Sequence, residues 1–166
     1  EGACAPGGGL HAVTLLGEAG IGKSRLLAEW LAKWLAEPQA DRPATHPASG
    51  QRCEVWQAAS HPQGQDQPYG LLRDLLFWRL GVGDGDSQAQ AQAAFAAGLA
   101  PRFGPAADEQ TALLGQLVGL DFSASPHIAQ IQRDVRQLRV RGLNAWVRLV
   151  RQQAAVKPLV LVLDDL

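Results

Sequence analysis

Between His11 and Pro38 the hydrophobic period of the chain changes around a cluster of glycines, and that change limits the folds open to it. Residues 11 to 16, HAVTLL, are apolar and partly β-branched, which predicts a buried strand. From Lys23 onward Leu26, Leu27, Trp30, Leu31 and Trp34 recur at three and four residues, which predicts a helix ended by Pro38. Between them stand Gly17, Gly20 and Gly22, so the backbone turns from strand to helix through residues that lack Cβ. Strand, glycine turn and helix in that order point to α/β architecture.

The turn reads Gly17-Glu18-Ala19-Gly20-Ile21-Gly22-Lys23-Ser24 and satisfies GxxxxGK[ST], the phosphate-loop (P-loop) pattern. A polyphosphate must be wrapped at close range by backbone N–H groups, and glycines allow this by tolerating positive φ. The helix starting near Lys23 then aims its unpaired N–H groups and positive dipole end at the anion. Lys23 is expected to reach the β and γ phosphates as a point charge, and Ser24 to offer its hydroxyl to Mg2+. A glycine turn without a ligand is the alternative, disfavoured by the strand before it and the helix after it.

Downstream, residues 37 to 49 carry three prolines among small polar residues and predict a surface connection, and 51 to 60 predict a second strand followed by loop. Leu71, Leu72, Leu75, Leu76 and Leu80 mark a helix that GVGDGD ends. Ser87, answered by Gln90, is the capping box of a second helix reaching Leu99, and residues 108 to 120 predict a third. Residues 125 to 155 predict one long or two shorter helices with Ile128, Ile131, Val135 and Leu138 on one face. Residues 158 to 166, PLVLVLDDL, predict a strand buried in a parallel sheet. Its acidic end suits the second half of a P-loop site, with Asp164 on Mg2+ at the C-terminal sheet edge and Asp165 orienting or deprotonating the attacking water.

Charge and composition point away from other classes. Fifteen basic and sixteen acidic residues leave a net charge of -1, so no global field favours nucleic acid or an anionic membrane. Cys4 and Cys53 are far apart, without a CxxC, and suggest free thiols in a reducing cytoplasm. No apolar run approaches the ~20 residues of a membrane span, and the first ten residues lack the features of a secretory signal. His11, His46, His61 and His127 are scattered, and DGDS at 84 to 87 lacks the glycine and distal glutamate of a calcium loop. Arg133, Arg136, Arg139, Arg141, Arg148 and Arg151 read as the solvated side of an amphipathic helix, and Trp30 and Trp34 as core packing. The absence of methionine and the apolar run at the end lead to the expectation that this is a fragment.

The chain resembles the P-loop ATPase module of the AAA/STAND type, also described as an origin-recognition-like AAA ATPase domain, of large bacterial signalling proteins. LLGEAGIGKSRLL, QPYGLLRDLL, LLGQLVGLDFS and PLVLVLDDL carry the resemblance over nearly the whole length, and YGLLRDLLFWRLGV and VGLDFSASPH resemble the branch found beside adenylate or guanylate cyclase domains. The resemblance implies ATP and Mg2+ as ligands. It places Gly17, Glu18, Ala19, Gly20, Ile21, Gly22, Lys23, Ser24 and Arg25 around the nucleotide, Lys23 and Asp165 in catalysis, and Ser24 and Asp164 at the metal. Asp165 stands where many AAA enzymes have a glutamate, and the shorter side chain suits a slow switch.

By the same resemblance the chain is a partial P-loop domain. Residues 1–60 form the Walker A half, 71–153 a helical insertion and 158–166 the Walker B strand, with the sensor, the remaining strands and the lid lying beyond. In that family the first strand sits between the fourth and fifth, so here its backbone is expected to lack neighbours and the fragment to be marginally stable and inactive alone. The expected function is Mg-ATP binding with slow hydrolysis as a conformational switch in a cytoplasmic protein. Its expected partners are other domains of the same chain (cyclase, repeat or DNA-binding) or further copies, with no direct nucleic acid and no membrane. A nucleotide-stabilised scaffold that never turns over and a P-loop small-molecule kinase are the alternatives.

Overall fold

The computed structural model describes residues 12–36, 54–60 and 68–164. They fall into two compact units, Glu1–Cys53 and Glu54–Leu166. The connection at 37 to 49 and most of the loop at 61 to 70 lie outside the described residues.

Among the described residues of the first unit the regular element is α1, Lys23–Ala36. The strand expected at 11 to 16 is not formed: residues 12–18 have no regular structure and Ala12 through Leu16 are exposed, His11 lying outside the described residues. A strand needs a neighbour to satisfy its N–H and C=O groups, and the described sheet consists of two other strands paired with each other. The apolar period of α1 is real, but its burial is partial. Leu27 and Leu31 are half-buried, whereas Leu26 and Trp30 are exposed, against the core packing expected for Trp30.

The second unit is a helical layer on a small parallel sheet. β1, Glu54–Ala59, pairs with β2, Leu159–Asp164, with Glu54 opposite Leu159 and Ala59 opposite Asp164. Between them run α2 (Gly70–Leu80), α3 (Gln88–Phe103), a 3₁₀ turn at Gly104–Ala106, α4 (Ala107–Leu117), α5 (Pro126–Ala129) and α6 (Val135–Val156). The alternation of β1 sends Trp56 and Ala58 to the helical side, and Leu159 and Leu161 of β2 join them against the same core. Phe95, Leu99, Leu113, Leu114 and Leu149 fill that core from α3, α4 and α6. α4 packs on both α3 and α6. The close approach of α6 depends on Gly142, where a Cβ would lie 2.9 Å from Leu117 Cβ and 3.1 Å from the Leu113 carbonyl oxygen.

Local chemistry sets the helix limits. Ser87 accepts from the Gln90 N–H while the Gln90 side chain accepts from the Ser87 N–H at 2.9 Å, the reciprocal cap that starts α3. Gly81, with φ +70°, closes α2. The Asp134 carboxylate accepts from the Gln137 N–H at 2.9 Å and starts α6 afresh, so residues 125 to 155 form one short and one long helix. The single face expected through Ile128, Ile131, Val135 and Leu138 therefore does not exist. Ile128 and Ile131 are buried before the break, while Val135 is 75% exposed at the new helix start.

A polar network ties the start of β1 to the helices. Glu54 Oε1 accepts from the Trp56 indole at 2.8 Å and from Arg79 of α2, and Oε2 accepts from Gln153 of α6. Burial pushes the Glu54 carboxyl up, but the Trp56 hydrogen bond and the positive charges of Arg79 and Arg102 outweigh it and hold the group below its ordinary value of 4.5. Among the described residues no helix is long and apolar enough to cross a membrane.

Candidate functional site

The loop preceding α1 is shaped by two left-handed glycines. Gly20 has φ +80° and Gly22 φ +96°, conformations that other residues adopt only with strain. They reverse the chain so that Ile21 N–H donates to the Glu18 carbonyl at 3.4 Å. At Gly17 a Cβ would meet Ile21 Cγ2 at 3.1 Å, a tight contact that the exposed Ile21 side chain would relieve by a small shift.

α1 opens directly from this loop. Leu26 N–H donates to the Gly22 carbonyl at 2.9 Å as the first backward bond. The N–H groups of Lys23, Ser24 and Arg25 thus lie in the first turn, where a helix offers no partner of its own. Lys23 folds back over the loop, and Nζ donates to the carbonyl oxygens of Gly17 and Glu18, each at 2.9 Å. The ammonium is fixed beside the donor-rich helix end, within the loop it would share with a ligand. Ser24 is exposed at the second position of the helix. The Arg25 side chain turns along α1 to pair with Glu29 at 2.8 Å. Those two side chains are 85% and 63% exposed, so the pair is worth only about 0.3–0.5 kcal/mol.

These groups fit a phosphate. Backbone with two positive-φ glycines, a helix N-terminus and a lysine folded back over the loop supplies N–H donors and positive charge. Sequence reasoning located the loop but missed the two carbonyls that hold Lys23, because backbone acceptors leave no residue-type signal. It also missed the Arg25–Glu29 pair, which the four-residue spacing would have revealed.

Asp164 lies in the other unit, as the last residue of β2. It is half-buried, and its carbonyl accepts from the Ser60 N–H at 3.0 Å, which fastens the C-terminal ends of both strands. Asp165 lies outside the described residues. Among the described residues no group of three His, Cys, Asp or Glu could hold a metal ion, which is compatible with Mg2+ sites that use one or two carboxylates plus phosphate and water oxygens.

A glycine-bent loop opening a helix in one unit, and in the other a parallel strand pair whose second strand ends in aspartate, are consistent with the class of P-loop nucleotide-binding α/β modules. The chain belongs to the AAA ATPase domain family, whose description matches residues 2–166. No curated protein and no solved structure matches it. As an AAA ATPase domain it is a P-loop module for nucleotide binding, with the α/β composition seen here.

Proposed function

We propose that this chain binds Mg-ATP through Gly17, Glu18, Ala19, Gly20, Ile21, Gly22, Lys23, Ser24 and Arg25, hydrolyses it slowly, and serves as a conformational switch within a larger signalling protein. The observation that carries this reading is the Lys23 ammonium bridging Gly17 and Glu18 at the mouth of a loop bent by Gly20 and Gly22. Bound Mg-ATP would supply the scissile phosphoanhydride and the charge-neutralising metal. Backbone N–H groups of the loop would hold the phosphate oxygens and Lys23 would exchange its two carbonyl acceptors for phosphate. Ser24 and Asp164 would hold Mg2+, and Asp165 would orient or deprotonate the attacking water.

Slow turnover follows from the aspartate at 165, whose side chain is one methylene shorter than glutamate. A nucleotide held for a long time and then released suits a switch more than a motor. Membership of the cyclase-associated branch rests on the resemblance of YGLLRDLLFWRLGV and VGLDFSASPH, and with it the other domains of a longer cytoplasmic chain as partners. The helices between residues 71 and 153 are the insertion proposed to face them.

Calorimetric titration of Mg-ATP into the chain and into Lys23→Ala tests the site. Binding near the micromolar range, about -8 kcal/mol, that disappears in the variant is expected. Equal binding by both proteins would remove the P-loop from the reading. Release of inorganic phosphate by the longest natural protein and by its Asp165→Ala variant then separates a switch, which loses turnover, from a scaffold, which has none to lose.

A further inference from the structure

The parallel register of β1 and β2 sets Ala59 opposite Asp164. In a parallel ladder of this register the bonds to Asp164 come from the two chain neighbours of Ala59. The Asp164 N–H is thereby aimed at the Ala58 carbonyl, and the Asp164 carbonyl accepts from the Ser60 N–H at 3.0 Å. At the other end of the pair the Glu54 N–H donates to the Pro158 carbonyl at 2.8 Å. Ser60, one residue beyond the end of β1, supplies the last described rung of the ladder.

Strand ends fray, and a carboxylate carried on a frayed end has no fixed origin. Mg2+ tolerates little displacement, because it takes its oxygen ligands in near-ideal octahedral geometry at about 2.0–2.1 Å. Asp164 is the final residue of β2, so its N–H and carbonyl depend on the neighbouring strand for partners. Ala58 serves the one and Ser60 the other. With both ends of the residue tied, its Cα has a set place and what remains to be chosen is a side-chain rotamer.

We infer that Ser60 is a positioning residue for the metal: its N–H, by holding the Asp164 carbonyl, fixes the strand end from which the Asp164 carboxylate reaches Mg2+. The assignment rests on the reading of Asp164 as a metal ligand and deepens it, since part of the placement of that carboxylate then belongs to β1. The role lies in the backbone of Ser60 and not in its hydroxyl. Groups that hold a metal ligand without touching the ion change metal affinity by about 10–100-fold when they are removed.

Calorimetric titration of ATP into the whole chain, once with Mg2+ and once with EDTA, measures the factor by which the metal tightens binding. Ser60→Pro removes the N–H, and the residue before a proline favours the extended backbone that Ala59 already has. It is expected to lose at least about tenfold of that factor, with its affinity in EDTA unchanged, and Asp164→Asn to lose as much. Ser60→Ala retains the N–H and is expected to keep the parent's factor. No tightening in the parent, or the parent's tightening retained in Asp164→Asn, would overturn the reading of Asp164 and the assignment with it. A loss in Asp164→Asn with none in Ser60→Pro, or an equal loss in Ser60→Ala, would overturn the assignment alone.

A second measurement needs no variant. Coupling is reciprocal, so if the Ser60 bond favours the metal, the metal favours the bond. Hydrogen exchange of the Ser60 amide, read by NMR in the parent chain with ATP, is expected to slow at least about tenfold when Mg2+ replaces EDTA. Unchanged exchange would overturn the assignment even where Ser60→Pro fails to fold.

Discussion

Gly22 combines left-handed backbone with open space around the position a Cβ would take, so Gly22→Ala isolates backbone strain from collision. The strain is about 1–2 kcal/mol, and relief by reshaping the loop would move the N–H groups away from a phosphate. Mg-ATP affinity measured by calorimetry is expected to fall about tenfold or more, with the denaturant midpoint of the Glu54–Leu166 unit unchanged. At Glu54 the expectation concerns pH. Its carboxyl titrates lower in the folded chain than its ordinary 4.5, so it contributes stability that is fully present above that value and is lost as pH falls through the folded pKa. Urea midpoints of the parent and of Glu54→Gln should therefore differ at neutral pH and converge in acid. A gap that persists in acid would show that the effect comes from packing. The two residues also differ in legibility. Gly22 was readable because its role is local and written in a contiguous motif, whereas Glu54 meets Arg79 and Gln153 only after distant elements have packed.

Helix boundaries were legible where the cap sits within the same few residues, as at Ser87 and Gln90. They were misread where a cap resets the helical phase. Asp134 does this, and a face drawn continuously through Ile128 and Val135 leaves one helix at Ala129 and enters another that starts afresh at Val135. The HAVTLL run shows a different limit, because β-branched composition gives a segment strand propensity but cannot provide the neighbour that makes it a strand. The α4–α6 contact was not legible at all, although one residue makes it possible. Gly142→Ala sets a methyl against the Leu113 carbonyl, which belongs to backbone and cannot rotate away. An overpacking loss of about 1–3 kcal/mol is expected, seen as a lower urea midpoint without a change in the cooperativity slope.

On the scale of the molecule, the α/β class could be read from the order of periodic segments, but the extent of the sheet could not. Propensity marks each strand separately, and pairing is decided by what lies alongside. β1 and β2 are adjacent, parallel and six residues each, yet the entire helical layer lies between them in the chain. Bringing their ends together from an open chain of about a hundred residues costs roughly 4 kcal/mol in closure entropy. Six residue pairs return little of it until Trp56 and Leu161 have a helical surface to cover. The order of assembly expected from this is that the neighbouring helices α3 and α4 meet first, α6 follows, and the sheet zips last. Pulsed hydrogen exchange during refolding should protect amides of α3, α4 and α6 before those of β1 and β2, and simultaneous protection would refute that order. Asp164 is the final residue of β2, which on that order is among the last elements to form. The strand end that carries it therefore arrives only when the rest of its unit is complete, so a partly folded chain cannot present that carboxylate in its native setting.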